Sequence, residues 1–163
     1  ADKVHRISIV SRGYTGGVTM YLPDEDEREL KTDKKFYAEL VTLYGGRTAE
    51  KLNFDAISTG ASSDIERATQ IARDMVKKYG MSSLGYVDLE PEEDYYTGQS
   101  RPYSEKTAES IDAEVNRILF EAQKECERIL KENEDKLKQL SELLVEKEVI
   151  ESEEFYEMME RDS

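Results

Sequence analysis

Ile111, Val115, Ile118, Ala122, Cys126 and Ile129 follow one another at intervals of 4, 3, 4, 4 and 3 residues. Only an α-helix returns side chains to one face at that interval, so the spacing predicts a long amphipathic helix with one stripe to bury. The pattern starts after Ser104 and breaks near Asn133, then resumes as Leu137, Leu140, Leu143 and Leu144. Ser152 is placed to cap a last short helix carrying Phe155, Met158 and Met159. Residues 104–163 therefore read as an antiparallel helical hairpin plus a terminal helix. They hold 9 basic and 19 acidic side chains, against 14 and 18 in residues 1–103. The simpler reading of that acidity is a solvated helical surface, not a cation site.

The first 103 residues are mixed. V-H-R-I-S-I-V at 4–10 alternates as a strand, with His5, Ile7 and Ile9 on one face. S-R-G-Y-T-G-G marks a turn or irregular loop, and V-T-M-Y-L-P at 18–23 is a second strand ended by Pro23, so the pair predicts a hairpin. D-E-D-E-R-E-L follows as an acidic, exposed connection. Thr32 or Asp33 caps a helix whose stripe is Phe36, Leu40, Leu43 and Tyr44. Gly45 and Gly46 interrupt it, at about 1 kcal/mol each relative to alanine in a helix. A helix end is one reading. Close approach of another backbone is favoured, because A-E-K-L resumes the helical pattern after Arg47.

A further helix carries the stripe Ile65, Ala68, Ile71, Ala72, Met75 and Val76. Ser63 and Glu66 have capping-box spacing, and Gly80 suits a left-handed C-cap. Residues 81–103 read as a long surface loop with one short strand at 85–89. Its Tyr95, Tyr96 and Tyr103 are either partner contacts or ordinary loop tyrosines. The expected fold class is mainly α (α+β), with a small β-hairpin or sheet near the N-terminus.

Composition excludes several functions. The net charge is −14, which disfavours nucleic acid as a partner, because phosphate binding needs clustered Lys and Arg. No apolar run approaches the ~18–20 residues of a membrane span. The single cysteine, Cys126, allows no intrachain disulfide and no cysteine zinc site, and is most simply a small core residue in a protein of a reducing compartment. The single histidine, His5, excludes a multi-histidine site within this chain. No G-x-x-x-x-G-K-[ST] loop is present, so the chain has no ATP site of that kind. A length of 163 residues suits one domain. The abrupt opening at Ala1-Asp-Lys, with no signal-peptide pattern, suggests a fragment of a longer protein.

The stretch I-S-T-G-A-S-S-D-I-E-R-A-T at 57–69 places Asp64 at a helix start. Unpaired N–H groups and the positive dipole end favour an ionised carboxylate there, which is the form a metal ligand requires. The small residues before it let another element come close. On these residues alone, ordinary helix-start chemistry stands beside the ligand reading.

Taken in order, V-H-R-I-S-I-V-S-R-G, G-V-T-M-Y-L-P, L-Y-G-G-R-T-A-E, I-S-T-G-A-S-S-D-I-E-R-A-T, A-R-D-M-V-K-K-Y-G-M-S and Y-S-E-K-T-A-E-S-I-D-A-E-V closely resemble the FtsH family. That family comprises membrane-anchored, ATP-dependent zinc proteases. The resemblance covers essentially the whole chain and points to the C-terminal peptidase domain. It implies that residues 1–163 are a peptidase-domain fragment, with a zinc-site subdomain at 1–103 and helices at 104–163. In the family, two histidines of an H-E-x-x-H helix and a distant aspartate hold zinc, and the glutamate between the histidines is the general base. The aspartate belongs to S-T-G-A-x-x-D-I, so Asp64 is carried over as a zinc ligand. The H-E-x-x-H motif would precede residue 1, and His5 belongs to the strand after it. The chain by itself is therefore expected to have an incomplete zinc site and to be inactive. Omission of the motif is preferred to a naturally non-catalytic member. The loop at 85–103 is shorter than the family's usual one.

The resemblance also implies a sheet edge beside the zinc that pairs with extended substrate, with Val18, Thr19 and Met20 as candidates. An ordinary edge strand is the alternative at each. ATP would act only through a separate ATPase domain. The implied partners are unfolded polypeptides and, in the intact protein, the other copies of a homo-hexamer. The implied location is the cytoplasmic face of the bacterial inner membrane, or an organelle membrane in a eukaryote, with membrane contact through segments outside this soluble fragment. The rival reading is a non-catalytic helical assembly or scaffold module.

Overall fold

The computed structural model describes residues 3–10, 18–22, 30–54, 58–89, 92–94, 98–100 and 103–160. Among them the chain is mainly helical with a small antiparallel sheet, as the patterning predicts. The S-R-G-Y-T-G-G turn, Pro23 with most of the acidic connection, Tyr95 and Tyr96 lie outside the described residues. The chain divides into two compact units, Ala1–Leu30 with Leu130–Ser163, and Lys31–Ile129. No helix among the described residues is long and apolar enough to cross a membrane.

The first unit is built on a three-stranded sheet. Strands β1 (Val4–Ser8) and β2 (Val18–Tyr21) pair antiparallel, as the expected hairpin requires. A third strand, β5 (Val149–Glu151), pairs with the other edge of β1, giving the order β2-β1-β5. Sequence reading misses β5, because V-I-E lies between two helical patterns and only its partner makes it a strand. Ile150 pairs with Ile7 and is fully buried. The register shifts between Val4 and Arg6, so His5 is the extra residue of a β-bulge, exposed and without a partner across the strand. The strict alternation expected of His5, Ile7 and Ile9 is broken there.

Helix α5 (Glu134–Lys147) follows the break at Asn133, and its leucines are half-buried. It ends on Glu148 in the left-handed region (φ 63°), where the Glu148 N–H returns to the Leu144 carbonyl and the Glu148 carbonyl accepts from Ile9 N–H at 2.9 Å. Helix α6 (Ser152–Glu160) is tied to β1 through the Tyr156 hydroxyl, which accepts from Val4 N–H at 2.9 Å, and to α5 through Lys136 Nζ, which donates to the Met159 carbonyl. Ser152 is the first helical residue of α6, one position later than a cap.

The second unit packs α1 (Asp33–Leu43), α2 (Gly45–Phe54), α3 (Ser62–Lys77) and most of α4 (Glu105–Glu132). Its core joins Phe36 and Leu40 of α1, Ala68, Ala72, Met75 and Val76 of α3, Leu89, and Ile111, Val115, Ile118 and Ala122 of α4. Apart from Leu89, these residues belong to the stripes read from the sequence; Leu43, Tyr44 and Ile71 of those stripes pack partly buried against the core, and Ile129 is 38% exposed. The cap of α1 is Thr32, whose hydroxyl accepts from Lys35 N–H. Gly45 and Gly46 open α2, and no atom lies within 4 Å of a Cβ built on either. The expected close backbone approach is therefore absent, and the pair marks the junction of two helices.

Gly80, by contrast, has φ +61°, and a Cβ there would lie 3.2 Å from the Gly85 carbonyl oxygen and 3.3 Å from Tyr86 Cα. No strand forms at 85–89. The short hairpin in this region is β3 (Glu92–Asp94) with β4 (Gly98–Ser100). Tyr103 packs against the core. Cys126 is buried, as its place on the α4 stripe implies, and burial pushes its thiol pKa up against a hydrogen bond from Thr48 that lowers it.

Candidate metal-ligand site

Helix α3 starts two residues earlier than the capping-box spacing suggests. Its N-cap is Ala61, which makes no side-chain cap bond, and Ser63 is already helical. The expected Ser63–Glu66 box therefore does not set the start. A turn does so instead, with Ser62 N–H donating to the Thr59 carbonyl (3.1 Å) and Ile65 N–H to the Ala61 carbonyl (3.0 Å). Asp64 sits in the first turn, half-buried, beside the N–H groups that a helix start leaves without intrahelical partners. Among the described residues nothing hydrogen-bonds to, or ion-pairs with, its carboxylate.

One cation stands close in sequence. Arg67 lies three residues on, an interval that can pair with Asp64 on a helix face. Arg67 instead gives its guanidinium to Glu39 of α1 at 2.8 Å, and Glu39 also meets Lys31 at 3.3 Å. Burial would raise the Glu39 pKa, but these two cations lower it below the ordinary value. The arrangement leaves an oxygen donor at a helix start with its neighbouring positive charge drawn elsewhere.

Asp64 suits a metal as a single carboxylate ligand. Among the described residues there is no group of three His, Cys, Asp or Glu that could hold a metal ion. Cys126 is buried, and His5 belongs to the other unit.

Val18, Thr19 and Met20 lie on β2. All are exposed, and among the described residues no strand pairs with the outer edge of β2. They belong to the first unit and Asp64 to the second.

Sequence reading missed Glu50 and Ser58. The Glu50 carboxylate accepts from both the N–H and the hydroxyl of Ser58, and the Ser58 hydroxyl oxygen accepts from Gly60 N–H. No helical or strand period links residues 50 and 58, so only the S-T-G-A motif itself pointed to this turn.

Residues 1–158 match Peptidase family M41. A protein of Caldicellulosiruptor bescii named ATP-dependent zinc metalloprotease FtsH is 48% identical over 176 residues, covering 100% of this chain and 27% of its own length. One of Thermoanaerobacter sp. (strain X514), with the same kind of name, is 48% identical over 158 residues, covering 93% and 26%. One of Cupriavidus metallidurans is 42% identical over 163 residues, covering 98% and 25%. The chain thus spans about a quarter of the length of these relatives. It belongs to peptidase family M41, the family of FtsH metalloproteases.

Proposed function

We propose that residues 1–163 are the peptidase-domain portion of an ATP-dependent zinc metalloendopeptidase that degrades unfolded or membrane proteins. In this reading Asp64 supplies one carboxylate ligand to zinc, and the remaining ligands and the general base come from other parts of the intact protein. Zinc supplies Lewis-acid activation of the peptide bond. The observation that carries the reading is Asp64 itself: a carboxylate in the first turn of α3, free of partners among the described residues, with Arg67 held by Glu39.

The role proposed for β2 is to take an extended polypeptide by strand addition through Val18, Thr19 and Met20. Its support is the exposed outer edge of the sheet. Backbone pairing reads little side-chain identity, which suits varied polypeptide substrates. ATP hydrolysis, assembly into a homo-hexamer and membrane attachment belong, in this reading, to the intact protein.

The test uses the intact protein. Asp64→Asn is expected to lower zinc content well below that of the parent and to abolish casein hydrolysis. Full zinc content with unchanged hydrolysis would reject the ligand assignment. The rival, a scaffold module, would be indifferent to Asp64.

A further inference from the structure

The pairing register of the sheet decides which side chains of β2 share a face. Thr19 lies opposite Ile7, Ile7 lies opposite Ile150, and Ile150 is fully buried, so this row belongs to the covered face. Successive residues of a strand point to opposite faces. Val18, opposite Ser8, and Met20, opposite Arg6, therefore share the other face, and they are 50% and 48% exposed. Leu22 follows at the same two-residue interval and is exposed too. Its N–H donates to the Lys3 carbonyl at 2.9 Å, which carries the hairpin pairing one residue past β2. Apolar side chains thus stand at every second position along this strand.

Charge is missing from the same stretch. Residues 13–23 contain no Asp, Glu, Lys or Arg, in a chain of which 37% of the residues are charged. Strands that must refuse a further strand commonly carry charge, lysine above all, and β2 carries none. Arg6, across from Met20, does not supply a cation to the outer edge. Its guanidinium meets Glu151 of β5 at 2.7 Å, on the side away from β2. A side chain laid beside Met20 therefore meets an apolar neighbour with a balanced ion pair behind it.

We propose that Val18, Met20 and Leu22 impose a side-chain preference on the polypeptide that β2 takes up: apolar residues at every second position, with the residues between them free to be polar. The inference rests on the reading of β2 as a strand-accepting edge and adds selection to it. One good cross-strand pair changes an equilibrium roughly 1.5–5-fold. Two or three such positions together favour the alternating pattern by about 10-fold. The substrates selected are segments with the two-residue alternation of amphipathic strands, exposed once another protein unfolds.

The experiment measures kcat/KM of the intact protein on peptides of one length and one composition. One peptide alternates Val and Gln; the other gathers the same residues into a Val block and a Gln block. The alternating peptide is expected to have a kcat/KM about 10-fold higher. Met20→Thr should reduce that ratio about 3-fold. The double variant Val18→Lys, Met20→Lys should erase it and raise kcat/KM for a peptide alternating Glu and Gln. Two further peptides carry N-methyl groups on every second amide of the alternating sequence, one in each frame, away from the scissile bond. The frame whose methyl groups face β2 should be cut poorly. If one N-methyl frame is cut poorly while alternating and blocked peptides are cut equally, or while the variants keep the parental ratio, the selection proposal is overturned and the strand-addition reading stands. If neither N-methyl frame lowers kcat/KM, strand addition fails and the selection proposal fails with it.

Discussion

Leu40→Ala probes the packing that holds α1 against α3, the helix that carries Asp64. Leu40 is fully buried within the core that also contains Ala68, Ala72 and Val76 of α3. The substitution removes three carbons, and at about 0.8 kcal/mol per buried methylene the transfer contribution is about 2.4 kcal/mol. The cavity left behind adds to this, giving a usual range of about 2.7–5 kcal/mol. Two of the α3 side chains in this core are alanines, too short to swing into the space, so a loss of about 4 kcal/mol is expected. For a chain of this size that corresponds to about 8–16 °C in Tm.

The assay is urea denaturation followed by far-UV circular dichroism and tyrosine emission, since the chain has 10 tyrosines and no tryptophan. Val145→Ala is the control, because Val145 is 77% exposed, and its effect should stay within about 0.5 kcal/mol. A Leu40→Ala loss under about 1.5 kcal/mol, or an equal loss for Val145→Ala, would refute the reasoning.

Two further outcomes are expected. Glu39→Ala releases Arg67 to turn toward Asp64, which should weaken zinc retention in the intact protein, and a second change, Arg67→Met, should restore it; a zinc-loss rate indifferent to both changes would remove Arg67 as a competitor. Glu114 has its pKa lowered to about 2, first by Arg117 and, against burial, also by Ser83 N–H. Because the folded value lies below the unfolded one, this stabilisation is present above about pH 4.5 and is lost as pH falls toward 2. The urea midpoint of the parent should therefore drop more steeply from pH 5 to pH 3 than that of Glu114→Gln, and equal slopes would contradict the assignment.

The helices were legible because their buried stripes are long. Ala68, Ala72, Met75 and Val76, and Ile111 through Cys126, repeat often enough that one face is fixed by period alone. Short elements were not legible in this way. Three residues of β5 carry too little pattern to outweigh the helices around them, and the strand exists because β1 offers it an edge. The Ser63 cap failed because a turn ending at Ser62 had already begun the helix. Gly45 and Gly46 were read for the space they could give, whereas the space around them is empty. At the candidate site, Asp64 was visible through its motif. The Glu50–Ser58 tie was not, because hydrogen bonds between residues eight apart across a turn leave no period in the sequence.

The sheet of the first unit pairs Ile7 with Ile150, nearly the whole length of the chain away. During synthesis β1 and β2 emerge before β5, and an isolated two-stranded hairpin is marginal in water. Until β5 leaves the ribosome, β1 offers an unpaired edge of its own, the kind of surface that recruits stray strands. Pairing of β5 closes that edge of β1, and among the described residues the outer sides of β2 and β5 are then the ones without a strand partner. Order of synthesis therefore governs which edges of the sheet are open at each stage, and β1 becomes an interior strand only once β5 has paired.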